Sequence, residues 1–285
     1  MSNTRTLRKW IDDQLARGCL PADLVTSLIA AGHHSQAAHT AIHEGMQRAA
    51  AVPGLQPAPS STPLTTPQPL RHSLATGGAV IVADDRNVAV LMSLAKPRAL
   101  LLGKVLDDSE CDALIAASRA RMQRSKTVDR SDGTSQLHAA RSSDGCHFQH
   151  HETPLLDTIN RRIASLTGWP LENGEPLQVL HYGVGAEYEP HYDYFDPADP
   201  GSARLTAIGG QRVGTLILYL NTPEAGGATV FPAAGLEIAA IKGNALFFSY
   251  DQPHPDSATL HAGTPVTAGE KWIATRWMRQ RPYQS

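Results

Sequence analysis

Between residues 177 and 278 the chain runs through short apolar segments: Leu177 to Tyr182, Tyr188 to Tyr194, Thr215 to Leu220, Thr229 to Phe231, Glu237 to Ile241, Ala245 to Tyr250 and Lys271 to Met278. Each is the length of a strand, and turn formers separate them, among them Gly183 and Gly185, Gly226-Gly227, Lys242-Gly243-Asn244 and Ala268-Gly269-Glu270. A chain punctuated in this way is expected to fold back on itself as antiparallel strands. Further short runs precede them, Ala79 to Val82, Val88 to Leu94 and Ala99 to Leu102. Helices are predicted over Ser109 to Met122, with Ser109 as cap, and over Pro154 to Leu166. Helices followed by strands give an α+β fold whose core is a barrel or a double-sheet jelly roll.

The start of the chain is organised differently. Leu7, Trp10, Ile11 and Leu15 recur at helical spacing before Gly18, and Pro21 opens a second segment, so residues 1–50 read as a small helical N-terminal module. Pro53, Pro57, Pro59, Pro63, Pro67 and Pro69 then preclude regular structure, which makes 51–78 a proline-rich linker and 79–285 the main domain. The polar stretch Ser125 to Ser143, holding Asp132-Gly133, is expected to be a long loop, either a lid or plain surface. A net charge of −2 provides no field for nucleic acid or an anionic membrane. With no apolar run long enough for a signal peptide or a spanning helix, the expected location is cytoplasmic. Cys19, Cys111 and Cys146 form no close pair, so reduced thiols are expected rather than disulfides or a zinc knuckle.

Chemistry concentrates in Glu189-Pro190-His191-Tyr192-Asp193-Tyr194-Phe195. On an extended segment His191 and Asp193 share one side while Tyr192 faces away, which supplies an imidazole and a carboxylate to one spot. His261 offers a third ligand from a later strand region. Two imidazoles and one carboxylate leave the opposite face of an octahedron open, the donor set of non-haem Fe(II) oxygenases. Lys271, Ile273, Thr275 and Trp277 alternate onto one face of the strand that follows. If that face is the inner one, the Lys271 ammonium can hold the far carboxylate of a small diacid whose other end chelates the metal.

From about Arg141 to Tyr283 the chain resembles the prolyl 4-hydroxylase family of Fe(II)/2-oxoglutarate-dependent dioxygenases. The resemblance rests on Arg141-Ser142-Ser143-Asp144-Gly145, Gln178-Val179-Leu180-His181-Tyr182, the segment Tyr188 to Phe195, Gly226-Gly227-Ala228-Thr229-Val230-Phe231-Pro232, Lys242-Gly243-Asn244-Ala245-Leu246, and Leu260-His261-Ala262-Gly263 with Lys271. It implies a double-stranded β-helix with flanking helices, in which His191, Asp193 and His261 bind iron and Lys271 anchors 2-oxoglutarate. It further implies that Tyr182 and Thr229 line the cosubstrate pocket, that Trp277 forms a wall, and that Tyr188, Arg212 and Glu175 contact a peptide. O2 is the oxidant, ascorbate an accessory reductant, and the family's reaction hydroxylates C–H bonds while converting 2-oxoglutarate to succinate and CO2. The sequence departs from the family at Ala228, where glutamate is usual, and at Asn244, where aspartate is usual.

The substrate stays open between a prolyl residue of a peptide or protein and a free amino acid or other small metabolite. A non-catalytic sensor that binds metal and 2-oxoglutarate is a reading of another class, with the helices of 1–50 serving dimerisation or partner binding. A zinc hydrolase has no support, since no His-Glu-x-x-His accompanies the ligands. The remaining histidines, including His147, His150, His151, His181 and His254, are expected to support the fold or the rim of the site rather than to ligate.

Overall fold

The computed structural model describes residues 77–125, 127–128, 132–136 and 141–283, with the single residues 8, 11, 12, 41 and 72. The chain divides into two compact units, Met1–Leu64 and Thr65–Ser285, and the division falls inside the proline-rich stretch. Arg8, Ile11, Asp12 and Ala41 are helical. The rest of the helices expected over 1–50, and nearly all of the linker expected over 51–78, lie outside the described residues.

In chain order the strands are β1 (Val80–Val82), β2 (Asn87–Leu94), β3 (Arg98–Gly103), β4 (Gln123–Arg124), β5 (Thr127–Val128), β6 (Ser135–Gln136), β7 (Asp144–Phe148), β8 (Leu177–Tyr182), β9 (Tyr188–His191), β10 (Arg212–Tyr219), β11 (Ala225–Gly226), β12 (Thr229–Phe231), β13 (Leu236–Ile238), β14 (Ala245–Ser249), β15 (His261–Gly263), β16 (Val266–Ala268) and β17 (Lys271–Arg279). The helices are α1 (Asp108–Arg119), α2 (Pro154–Thr167) and α3 (Ser202–Ala207). A nine-stranded sheet has the order β1-β2-β3-β14-β10-β17-β8-β7-β4, and a four-stranded sheet the order β13-β12-β15-β9. Neighbouring strands in both are antiparallel, so the architecture is a mostly antiparallel β core with few helices.

The long sheet is covered on both faces, and this dictates its composition. Leu216, Leu218, Phe247, Trp272 and Ala274 point one way, into a cluster with Leu114 of α1 and Leu156, Ile159 and Ile163 of α2. Leu180, Ile217, Tyr219, Leu246, Phe248 and Ile273 point the other way and meet Phe231 and Ile238 of the small sheet. A strand without a solvent face gains by being apolar at successive positions, and every residue of β17 is buried.

Local sequence sets the ends of the helices, not always as expected. α1 is capped by Asp107 rather than Ser109. Asp107 Oδ1 accepts from the Glu110 amide at 2.8 Å, and Glu110 Oε2 accepts from the Asp107 amide at 2.9 Å, a reciprocal box. The Ser109 hydroxyl only donates to Asp107 Oδ1, at 2.7 Å. α2 starts at Thr153 and Pro154 and stops at Gly168, whose φ of +66° a side chain would resist. Within the loop expected over Ser125 to Ser143, β5 and β6 pair across a turn in which Asp132 Oδ1 accepts from the Thr134 amide at 2.8 Å.

One buried charge ties the helical layer to the sheet. The Arg162 guanidinium, on α2, bonds both oxygens of Asp85 at 2.8 and 2.5 Å and both oxygens of Glu110 at 2.9 and 2.7 Å, and it donates to the Val105 carbonyl at 2.9 Å. Asp85 follows β1, and Glu110 belongs to α1. Removing the buried cation leaves Asp85 and Glu110 with Arg86 as their remaining cation, so Arg162→Met is expected to lower the unfolding free energy by about 2 kcal/mol, read from urea denaturation. An unchanged midpoint would mean that water replaces the guanidinium at no cost.

Candidate functional site

β9 and β15 are neighbours in the small sheet, and their register sets His261 directly opposite His191, with ring centroids 4.3 Å apart. Asp193 lies beyond the end of β9, in a bend, although the strand was expected to continue to Tyr194. Strand alternation therefore does not orient its carboxylate. The long sheet does: Thr215 Oγ1 of β10 donates to Asp193 Oδ2 at 2.7 Å, and Arg212 donates to the Asp193 carbonyl at 3.3 Å. His191 Nε2 is 3.7 Å from Asp193 Oδ1, and His261 Nε2 is 3.6 Å from Oδ2. One donor atom of each of the three residues lies within 4.8 Å of the others.

Both imidazoles are held in one tautomer. His191 Nδ1 is 2.8 Å from the Glu189 carbonyl, and His261 Nδ1 is 2.9 Å from the Thr259 carbonyl. A carbonyl only accepts, so each Nδ1 carries the proton and each Nε2 keeps its lone pair for a metal. Burial, and next the neighbouring His261, push His191 down to about 3. Burial acts to raise Asp193, but His261, His191, Arg212 and the Thr215 hydroxyl together hold its carboxyl below the usual range.

Lys271, Ile273, Thr275 and Trp277 line the same cleft as the three candidate ligands, a space of about 430 Å³ including its open mouth. Tyr182 and Thr229 also line it, with Leu180 and Ile217 as apolar sides. Lys271 is opposite Tyr182 in the sheet, and its ammonium sits 5.5 Å from that ring's centre. It is 3% exposed, no carboxylate of the described residues pairs with it, and burial pushes it down to about 8. Tyr219 donates to the Thr229 hydroxyl at 3.0 Å. Nearer the mouth, Tyr188 stacks on His191 with centroids 3.6 Å apart, and the Arg141 guanidinium lies 4.8 Å from the Tyr188 ring.

Glu175 and Arg212 are not among the residues lining this cleft; they pair with each other beside it. Arg212 forks onto both Glu175 oxygens at 2.6 and 2.9 Å, and Arg279 Nε stands 2.7 Å from the same carboxylate. The Arg212 guanidinium also lies 4.0 Å from the Trp277 ring. These charges are spent on one another, in a buried clamp behind Asp193. Sequence reasoning missed Thr215 and Tyr219, although alternation along β10 puts their hydroxyls, with Ile217 between them, on one face. His181 pairs with Glu270 at 2.9 Å, and His254 accepts from the Asp256 amide at 3.1 Å; neither lines the cleft.

Residues 177–279 match the model of the 2OG-Fe(II) oxygenase superfamily. "Probable prolyl 4-hydroxylase 3" of Arabidopsis thaliana is 38% identical over 210 residues, which cover 66% of this chain and 71% of the relative. This chain belongs to the prolyl 4-hydroxylase-like Fe(II)/2-oxoglutarate dioxygenases. "Prolyl 4-hydroxylase 5" of the same plant is 37% identical, over 66% of this chain and 70% of its own. A solved structure, the viral collagen prolyl hydroxylase of Paramecium Bursaria Chlorella virus-1 with 2OG, is 31% identical over 64% of this chain and 95% of that one, at a TM-score of 0.48.

Members of this dioxygenase family require Fe(II), 2-oxoglutarate and O2, and the residues here fit that requirement. Two lone-pair nitrogens and an ionised carboxylate suit Fe(II), and a buried ammonium with no carboxylate partner among the described residues suits one end of a dicarboxylate. Burial pushes Lys271 down to about 8, and an anchoring role would need its protonated form. Affinity for 2-oxoglutarate is therefore expected to be flat below about pH 8 and to fall by up to tenfold per pH unit above it. Calorimetry on Mn(II)-loaded protein measures this, and affinity unchanged through that range would rule Lys271 out as the anchor.

Proposed function

We propose that the chain hydroxylates prolyl residues of a peptide or protein, with His191, Asp193 and His261 holding Fe(II) and Lys271 holding the far carboxylate of 2-oxoglutarate. The observation that carries the reading is the Lys271 ammonium, buried in the same cleft as the two His and one Asp with no carboxylate partner among the described residues. Uncompensated burial of a cation is unfavourable, and an incoming carboxylate relieves it. The two sheets enclosing the cleft are read as the double-stranded β-helix of this family. When bound, iron and 2-oxoglutarate supply the oxidising chemistry, coupling decarboxylation to succinate and CO2 with hydroxylation of a C–H bond.

The chain's own residues bind, orient and exclude water. The carbonyls of Glu189 and Thr259 fix the imidazoles, while Thr215 and the Arg212–Glu175 clamp fix Asp193. Tyr182, Thr229, Leu180, Ile217 and Ile273 form a narrow, largely dry slot in which the Lys271 charge acts at low dielectric. Tyr188 and Trp277 add aromatic surface to the cleft lining, which suits the apolar ring of proline. Relatives named prolyl 4-hydroxylases support that choice over a free amino acid. Ascorbate is read as the reductant that restores iron oxidised outside productive turnover.

Anaerobic titration of the apoprotein with Fe(II) and 2-oxoglutarate tests the cosubstrate site through the visible charge-transfer band of the chelate. The band is expected in the wild type, to be abolished in His191→Ala, and to require at least tenfold more 2-oxoglutarate in Lys271→Ala. No band in folded, metal-loaded wild type would overturn the reading. Mass spectrometry of proline-rich peptides and of free proline after aerobic turnover tests the substrate. Addition of one oxygen to the peptides is expected, and oxidation of the free amino acid alone would replace the peptide reading.

A further inference from the structure

Asp193 offers both of its oxygens toward the imidazole nitrogens: Oδ1 is 3.7 Å from His191 Nε2, and Oδ2 is 3.6 Å from His261 Nε2. Distance alone would let either oxygen, or both, serve as ligand. The difference between a one-oxygen and a two-oxygen carboxylate is decisive for this chemistry. Two imidazoles and one carboxylate oxygen leave three of six octahedral positions open. A 2-oxo acid takes two of them, and a second carboxylate oxygen would take the third, where O2 must enter.

The environment of the two oxygens is unequal. Thr215 is fully buried, and its hydroxyl lies 2.7 Å from Oδ2. Threonine has one hydroxyl proton, and an ionised carboxylate can only accept it, so that proton points at Oδ2. Behind it stands Tyr250, 2% exposed, with its phenol oxygen 3.4 Å from Thr215 Oγ1. Because the Thr215 proton is committed, the phenol is the donor in that contact. Burial and the nearby Asp193 charge raise Tyr250 well above its ordinary ionisation, so the phenol keeps its proton. The hydroxyls thus run in one direction, from Tyr250 to Thr215 to Oδ2, among buried side chains, where such donors polarise one another.

We propose that Thr215, backed by Tyr250, is a positioning residue that ties up Asp193 Oδ2, limits the carboxylate to one ligating oxygen, and so keeps the position for O2 open. A hydrogen bond to Oδ2 lowers that oxygen's basicity toward a metal and fixes the carboxylate plane. Thr215 touches neither the metal nor the substrate in this role. The proposal rests on the reading that His191, Asp193 and His261 hold Fe(II).

Nitric oxide, a stable surrogate for O2, supplies a readout other than turnover. Fe(II)-loaded wild type, Thr215→Val, Thr215→Ser and Tyr250→Phe are compared anaerobically with saturating 2-oxoglutarate. The chelate band reports the first two open positions, and the electron paramagnetic resonance signal of bound nitric oxide reports the third. Thr215→Val is expected to form the chelate band yet to bind nitric oxide at least tenfold more weakly than wild type. Thr215→Ser should restore wild-type affinity, and Tyr250→Phe should show a loss of a few-fold. Equal nitric oxide affinity in wild type and Thr215→Val would overturn the proposal while leaving the iron site standing. No chelate band in the wild type would overturn the iron reading and the proposal with it. Should Thr215→Val fail to load iron, Thr215→Ala and Thr215→Ser decide: a defect in Ala rescued by Ser supports the proposal, and equal behaviour overturns it.

Discussion

His191 and His261 are direct partners across two antiparallel strands, and the spacing of their imidazoles follows from sheet geometry rather than from flexible side chains. A small sheet of four strands would be marginal alone, but its inner face shares a core with the long sheet through Phe231, Ile238, Ile217 and Phe248. Slippage of β15 by one residue would turn His261 to the other face, so the core that fixes the register also fixes the site. Asp193 then joins from outside the strand, drawn in by a hydroxyl of the opposite sheet. The candidate ligands therefore come from the small sheet and the bend after β9, but a hydroxyl of the long sheet orients one of them, so their geometry depends on how the sheets pack.

Burial gives the charges in this cleft their meaning. Arg212 and Glu175 satisfy each other in a forked ion pair, with Arg279 close to the same carboxylate. Lys271 is as deeply buried and has no carboxylate partner among the described residues. The first arrangement is closed on itself, and the second suits an anion. Sequence presents both as charged residues in apolar strands, and only the partners tell them apart.

Much of this was legible in the chain itself. Glycine-punctuated apolar runs announce antiparallel strands, and β8 and β12 run over the residues expected of them. Alternation along β17 correctly groups Lys271 with Ile273, Thr275 and Trp277 on the face that lines the cleft. The grouping of His191, Asp193 and His261 follows from residue type, since few other residues can share a metal. Alternation misleads at Asp193, because a strand can end between two residues without any change in composition. Ser109 loses the cap to Asp107 because a carboxylate with Glu110 three residues on satisfies two amides where a lone serine satisfies one. The pairing of Arg212 with Glu175 is illegible for a related reason: an ion pair joining residues 37 apart leaves no local signal.

The order of strands in the long sheet also bears on how the molecule is made. β17 lies between β10 and β8 near the centre of the sheet, yet it follows every other strand in chain order. During synthesis β10 and β8 emerge with nothing between them, and each presents an apolar edge with unpaired backbone groups until β17 arrives. The strand that carries Lys271 is therefore the one whose insertion closes the sheet. Contacts so distant in sequence slow folding. A nascent chain halted before β17 would expose its stickiest surface while lacking Lys271, Ile273, Thr275 and Trp277, so completion of the long sheet and of the cleft lining coincide in a single late event.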